Sequence, residues 1–309
     1  MLNENGYPCG GLFGFIRALG NFVRKYKINR VYVCWDGEGG STKRRKMSEG
    51  TYKEGRKPIK ANRTYDYSEA EHTDNRFFQM ALLKFFLNMT PIVQIELAGV
   101  EADDIIAYLA HDIYYEEEDD IVVIQSSDKD FFQLLNDRIL VFRPVQKEML
   151  NKDDMIEKYN IRPRNFCLFR AIVGDDKSDN ISGVKGVGDK AFLKLFPFFS
   201  EDRDITIDEV IDFAEKKETG KKYQLVSESK ELISKNYELM QLYSPIIGIS
   251  KIEDIESQLF DNDGAFQRSK FIQNLITHGI GDRSQLENFL EMMMKLSKQF
   301  KVYGEDDGK

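Results

Sequence analysis

Residues 92–113 read IVQIELAGVEADDIIAYLAHDI. The first six, Ile92 to Leu97, form a short apolar run with the length and β-branched character of a buried strand. A glycine turn follows, and Glu101 to Ile113 then carries a helical pattern. The same order recurs at Ile121 to Gln125, which leads into Lys129 to Leu135. Arg30 to Trp35 (RVYVCW) and Ile139 to Phe142 are further candidate strands, and Leu12 to Tyr26 and Arg76 to Asn88 read as helices. Strands that alternate with helices predict a parallel sheet with covered faces. Past Asn151 the strand signals fade and helical stretches take over: Lys152 to Tyr159, Pro163 to Val173, Lys190 to Phe196 and Asp208 to Lys217. The expected fold class is α/β, with a central, mostly parallel sheet flanked by helices over residues 1–150 and a helical region over residues 151–309.

A chain of 309 residues can bury a large core without crosslinks. Its three cysteines, Cys9, Cys34 and Cys167, are far apart and form no C-x-x-C pair, which argues against a disulfide framework or a thiolate zinc site. No apolar run approaches the length of a membrane span, and the first residues are polar and Gly-rich. A reducing, cytoplasmic setting without a membrane partner is expected. The net charge of −8 alone disfavours a nucleic-acid partner, but the charge is unevenly spread. Between Ser41 and Arg63 stand nine basic residues and two acidic ones.

In an open parallel sheet, ligands gather beyond the carboxyl ends of the strands, so acids at those positions carry the most weight. Asp36 directly follows RVYVCW, although an Asp-Gly there equally suits a turn. Glu101, Asp103 and Asp104 open the helix after Ile92 to Leu97; acids favour a helix N-terminus, but three within four residues repel unless a cation neutralises them. Asp128 and Asp130 follow IVVIQSS, where a helix cap is the alternative reading. GDDKSDN contributes Asp175, Asp176 and Asp179 in a loop. Such oxygen donors suit Mg²⁺ or Mn²⁺, whereas His72, His111 and His278 lie outside the clusters.

The basic run supplies Lys43, Arg44, Arg45 and Lys46, then Tyr52, Lys53, Arg56 and Lys57, setting an aromatic for base stacking beside phosphate-binding cations. A solvated surface is the plainer reading of such a run. Gly183-Val184-Lys185-Gly186-Val187-Gly188-Asp189-Lys190 joins two helical stretches, and its glycines allow a tight turn whose N–H groups can meet a phosphate.

Taken in order, G-V-E-A-D-D (99–104), S-D-K-D-F-F-Q-L-L (127–135), G-D-D-K-S-D-N with I-S-G-V-K-G-V-G-D-K (174–190) and Y-K-x-x-R (52–56) resemble the 5′-nuclease family. That family includes flap endonucleases, the 5′-nuclease domain of bacterial DNA polymerase I, and phage 5′-exonucleases and RNase H. The resemblance covers roughly residues 1 to 200 and implies a PIN-like nuclease core, a basic arch at about 37–75 and a helix-hairpin-helix at about 165–200. It implies a first metal site at Asp36, Glu101 and Asp103, with Asp104 close by, and a second at Asp128, Asp130, Asp176 and Asp179. Lys53 and Arg56 would contact the scissile phosphate. Gly183, Lys185, Gly186, Gly188 and Lys190 would hold duplex, with a K⁺ ion as helper. The implied activity is two-metal, Mg²⁺-dependent 5′-3′ exonuclease or flap cleavage of branched or 5′-ended DNA, or of RNA/DNA hybrid, by a monomer working beside replication proteins such as single-strand binding protein.

One departure qualifies this. Family members begin with a strand ending in an Asp-Gly-Asn type motif that supplies a metal ligand, and this text opens in the loop before the first helix. Reduced or absent activity is therefore expected for a chain starting at Met1, with a non-catalytic DNA-binding relative as the alternative reading. A ribonuclease of similar sheet topology is disfavoured by the hairpin and the long basic segment.

Overall fold

Each apolar run forms the strand it predicts, and the acids at its end lie where the chain leaves the sheet. The computed structural model describes residues 2–48, 50, 52–53, 68–113, 120–175, 179–217, 220–280 and 286–300. Arg56, Lys57 and Asp176 lie outside them, as do residues 49, 51 and 54–67 of the expected arch.

In chain order come α1 (Gly10–Tyr26), β1 (Tyr32–Trp35), α2 (Thr42–Met47), α3 (Glu69–Leu87), β2 (Val93–Glu96) and α4 (Ala102–Tyr108). A π turn at Leu109–Ile113 extends α4. Next are β3 (Val122–Gln125), a 3-10 turn at Asp130–Leu134, β4 (Ile139–Arg143), β5 (Glu148–Leu150), α5 (Lys152–Tyr159) and α6 (Pro163–Val173). The ribbon β6 (Gly174–Asp175) and β7 (Ile181–Ser182) leads to α7 (Asp189–Leu195). The remainder is helical: α8 (Ile207–Glu215), α9 (Lys221–Ser227), α10 (Lys230–Met240), α11 (Ile249–Phe260), α12 (Arg268–Thr277) and α13 (Glu287–Gln299). Among the elements that escape the sequence reading are α2, inside a basic run with no apolar period, the three-residue β5, and the two-residue strands β6 and β7.

Packing divides the chain differently from a cut at residue 150. One unit takes residues 1–35, 57–97 and 248–309; the other takes 36–56 and 98–247. The cause in the first unit is α13. Its Phe289 and Met293 share a core with Leu12, Phe13, Ile16 and Val23 of α1, so a late helix closes an early one. Gly20 permits the approach, since a Cβ there would stand 2.9 Å from the Phe289 Cα. In this unit β1 pairs parallel with β2, Tyr32 opposite Val93. The start of α3 is fixed by a capping box, with Ser68 and Glu71 exchanging bonds across the first turn.

In the second unit β3 pairs parallel with β4, and β5 adds antiparallel to β4. The core beneath is rich in phenylalanine. Phe169 and Phe199 flank Phe192 at centroid distances of 4.9 and 4.6 Å, both edge to face. Asn151 caps α5 by accepting from the Asp153 and Asp154 amides. Pro163 opens α6, where a missing N–H costs nothing. Among the described residues no helix is long and apolar enough to cross a membrane.

Candidate metal and nucleic-acid site

All described acids of the expected site belong to the second unit. The loop after β1 runs along the start of α4: the Gly37 amide donates to the Val100 carbonyl at 3.1 Å and the Gly99 amide to the Glu38 carbonyl at 2.8 Å. Gly40 lies so close that a Cβ would stand 2.7 Å from the Val100 oxygen. This pairing brings exposed Asp36 to the α4 N-terminus, where its Oδ1 accepts the Ala102 amide at 2.9 Å. Asp36 thus caps α4 and also adds its charge to that of Asp103.

Along α4 the three acids have separate fates. Glu101, only 3% exposed, accepts Lys53 Nζ at 2.7 Å, pairs with Arg44 and lies 3.4 Å from the Tyr52 hydroxyl. Burial works to raise its carboxyl, but Lys53 and Arg44 outweigh it and hold the group below the ordinary carboxylate range. Asp104, also buried, receives both Nη atoms of Arg44 at 2.6 and 2.8 Å. Asp103 gains no such partner among the described residues. Burial, then the charge of Asp128, push it up to about 7; Lys53 opposes this, while Glu101 and Asp36 add to it.

After β3, Asp128 Oδ1 accepts the Asp130 amide at 2.9 Å, which turns the chain into the 3-10 segment. Gln133 anchors that segment: its amide donates to the Asp130 carbonyl at 2.7 Å and to the Met240 carbonyl at 3.0 Å. Burial pushes the Asp130 carboxyl well above its usual value; Asp128, Asp179 and Asp175 add to this, and Arg170 opposes it. Asp179 is buried, and its carbonyl accepts the Lys53 amide at 2.9 Å. Asp175 is held by Arg170.

The structure therefore gathers Asp36, Glu101, Asp103, Asp104, Asp128, Asp130, Asp175 and Asp179 into one neighbourhood. It does not gather them evenly. Glu101 and Asp104 spend their oxygens on Arg44 and Lys53, and among the described residues no three His, Cys, Asp or Glu side chains stand at metal-holding spacing. Burial and like-charge repulsion weigh most on Asp103 and Asp130.

The cations also sort themselves. Arg44, read with its neighbours as a phosphate contact, is 4% exposed and bonded to Glu101, Asp104 and the Leu239 carbonyl at 3.0 Å; its guanidinium is presented to carboxylates and not to solvent. Lys43, Arg45 and Lys46 on the same short helix are exposed. Tyr52, read as a stacking platform, is 4% exposed and packs with Cys167, Ile181, Leu239 and Met240, so its ring is not offered to a base. Lys53 sits over that ring at 4.7 Å, with a left-handed backbone of φ 56°.

In the hairpin the glycines have different duties. Gly174 and Gly183 pack backbone on backbone: a Cβ on Gly183 would lie 2.1 Å from the Val173 oxygen. Asn236 fastens the same crossing, donating to the Ala171 and Ser182 carbonyls at 2.9 and 3.0 Å. Gly186, at φ 80°, and Gly188 are exposed with open space around them, beside exposed Lys185 and Lys190. Arg170 escapes the sequence reading. Its signal is a lone arginine in the apolar run of α6, which must find a buried anion.

Known proteins resemble this chain in sequence and in fold. The family model described as 5′-3′ exonuclease, N-terminal resolvase-like domain, matches residues 1–160. A 5′-3′ exonuclease of Aquifex aeolicus is 28% identical over 243 residues, covering 79% of this chain and 75% of that protein. The thermostable DNA polymerase I of Thermus thermophilus is 33% identical over 195 residues, covering 63% of this chain and 21% of the polymerase. The bacteriophage T5 flap endonuclease, solved as a pseudo-enzyme-product complex with DNA and metal ions, has a similar fold: TM-score 0.59 at 23% identity, covering 93% of this chain and 91% of that one.

Proposed function

The chain belongs to the 5′-3′ exonuclease family, and from that premise we propose that it is a structure-selective 5′-nuclease hydrolysing phosphodiesters in 5′-ended or flapped DNA with divalent metal ions. The observation that carries the reading is the convergence of Asp36, Asp103, Asp128, Asp130 and Asp179, which crowd until burial and mutual repulsion lift Asp103 and Asp130. Carboxylate oxygen is the donor that hard divalent ions take, and like-charge crowding is what such ions relieve, so the chemistry of these residues suits the group, although their spacing among the described residues is wider than a bound ion would impose. Asp36 and Asp103 would hold one ion; Asp128, Asp130 and Asp179, with Asp176, would hold the other. Ions there supply Lewis acidity toward the phosphate and activation of water.

The chain's own residues do the positioning. Lys53 is already beside the acids, and in leaving Glu101 for a phosphate oxygen it would neutralise charge that grows in the transition state. Exposed Lys43, Arg45 and Lys46 would attract the backbone of the strand. Gly186 and Gly188, open and flanked by Lys185 and Lys190, would let duplex phosphates approach the main chain without reading sequence.

A 5′-labelled flapped duplex incubated with purified protein tests this. Cleavage near the branch in Mg²⁺, none in EDTA, and a rate lower by about 100-fold or more in Asp103→Asn and Asp130→Asn are expected. Undiminished cleavage in EDTA would reject the metal reading. Tight binding in Ca²⁺ with no turnover in Mg²⁺ would favour a non-catalytic DNA-binding relative. A substrate carrying RNA at its 5′ end asks whether primers are also removed.

A further inference from the structure

Arg170 is 9% exposed, in the last turn of α6, with Phe166, Phe169 and Ile172 buried on the same helix. A guanidinium is costly to bury unless its donors meet acceptors or anions. Here Nη1 donates to the Gly174 carbonyl at 3.3 Å and Nη2 pairs with Asp175. Nε, sealed from solvent and without a hydrogen bond, faces Asp130 Oδ1 at 3.6 Å. One fixed cation therefore spans two carboxylates that come from opposite ends of the acid group, one from the 3-10 turn and one from the ribbon after α6.

Among the described residues, the ion pairs of Arg44 and Lys53 are with other acids. Arg44 faces Glu101 and Asp104, and Lys53 faces Glu101. We propose that Arg170 is a positioning residue: an internal counter-cation that holds Asp130 and Asp175 in place while the site is without metal, so that a divalent ion enters a carboxylate group already assembled. The inference rests on the metal-site reading above. An arginine suits the task better than a lysine because its planar fork can address the carbonyl and both acids at once.

The consequence is a thermal signature. Without an ion, loss of Arg170 removes the cation that faces Asp130 and Asp175 and leaves the repulsion among Asp128, Asp130, Asp175 and Asp179 less opposed. With an ion bound, the missing charge is largely replaced. Thermal unfolding of wild type, Arg170→Met and Arg170→Lys in EDTA and in saturating Mn²⁺ reads this directly. Arg170→Met should lower Tm by about 5 °C or more in EDTA and regain most of that loss in Mn²⁺, with Arg170→Lys intermediate. In EDTA, Asp130→Asn added to Arg170→Met should recover part of the loss, because it removes one of the stranded charges.

Equal losses of Tm in EDTA and Mn²⁺, or no relief from Asp130→Asn, would reduce Arg170 to a helix-packing residue and overturn the proposal. Should Arg170→Met fail to fold, Arg170→Lys with and without Asp130→Asn carries the same comparison. A wild-type Tm that ignores Mn²⁺ altogether would overturn the metal-site reading and this inference with it, an outcome distinct from a variant that merely falls in parallel.

Discussion

Arg44 grips Asp104 with two prongs, Nη1 to Oδ2 at 2.6 Å and Nη2 to Oδ1 at 2.8 Å, and both side chains are shut away from water. Removing one partner of such a pair strands the other as an uncompensated buried charge. Arg44→Met should therefore cost about 3–5 kcal/mol of stability, measured by urea unfolding. The plot of log affinity for DNA against log salt should keep its slope in the fraction that remains folded. A shallower slope with unchanged stability would return Arg44 to the phosphate-binding surface.

The exposed cations of α2 should behave in the opposite way. Replacing Arg45 and Lys46 by alanine should leave the unfolding midpoint within error and flatten the salt dependence of DNA binding by about two units of log–log slope. An unchanged slope would show that the strand does not pass this helix.

Lys53 is set apart by its position beside Glu101. Lys53→Ala should slow single-turnover cleavage by about 100- to 1000-fold while changing DNA affinity little, since one phosphate contact among several is lost. A large rise in Kd with an unchanged cleavage rate would make it a binding residue only.

The two kinds of hairpin glycine give a graded test. Gly183→Ala must push a methyl into the Val173 carbonyl, where backbone and not a flexible side chain has to yield, so a loss of about 3 kcal/mol or more is expected. Gly186→Ala meets open space and suffers only the left-handed backbone, about 1 kcal/mol. Thermal melts of the two variants should rank in that order, and the reverse would contradict the crossing described for Val173, Gly174 and Gly183.

Away from the site, Arg203 donates to Glu209 at 2.8 Å in front of α8. That bond outweighs the opposing effect of burial and holds the Glu209 carboxyl below its ordinary value of 4.5. A carboxyl whose value is depressed by folding stabilises the protein above the unfolded value and stops doing so as pH falls through the folded one. The Tm advantage of wild type over Glu209→Gln should thus be constant from neutrality down to about pH 5 and shrink below the ordinary Glu value. A constant difference down to pH 3 would remove the ion pair from the account.

What could be read beforehand follows from range. The strands were legible because Ile92 to Leu97 and Ile121 to Gln125 are apolar runs of strand length, and their acids because a strand end fixes where they emerge. Arg44 could not be told from Lys43, Arg45 and Lys46, since only the turn of α2 selects which of four adjacent cations faces inward. The buried place of Tyr52 depends on Leu239 and Met240, almost two hundred residues further on. Arg170 passed unread in α6, because the anions that give it meaning are supplied by other segments.

The late closure of α1 by α13 bears on how the protein is made. On the ribosome, residues 36–56 and 98–247 are complete while the apolar stripe Leu12, Phe13, Ile16 and Val23 still waits for Phe289 and Met293. For most of its synthesis the nascent chain thus carries a greasy helix covered only in part, by Leu82, Leu83, Phe86 and Leu87 of α3, which makes it a natural client for a holding chaperone.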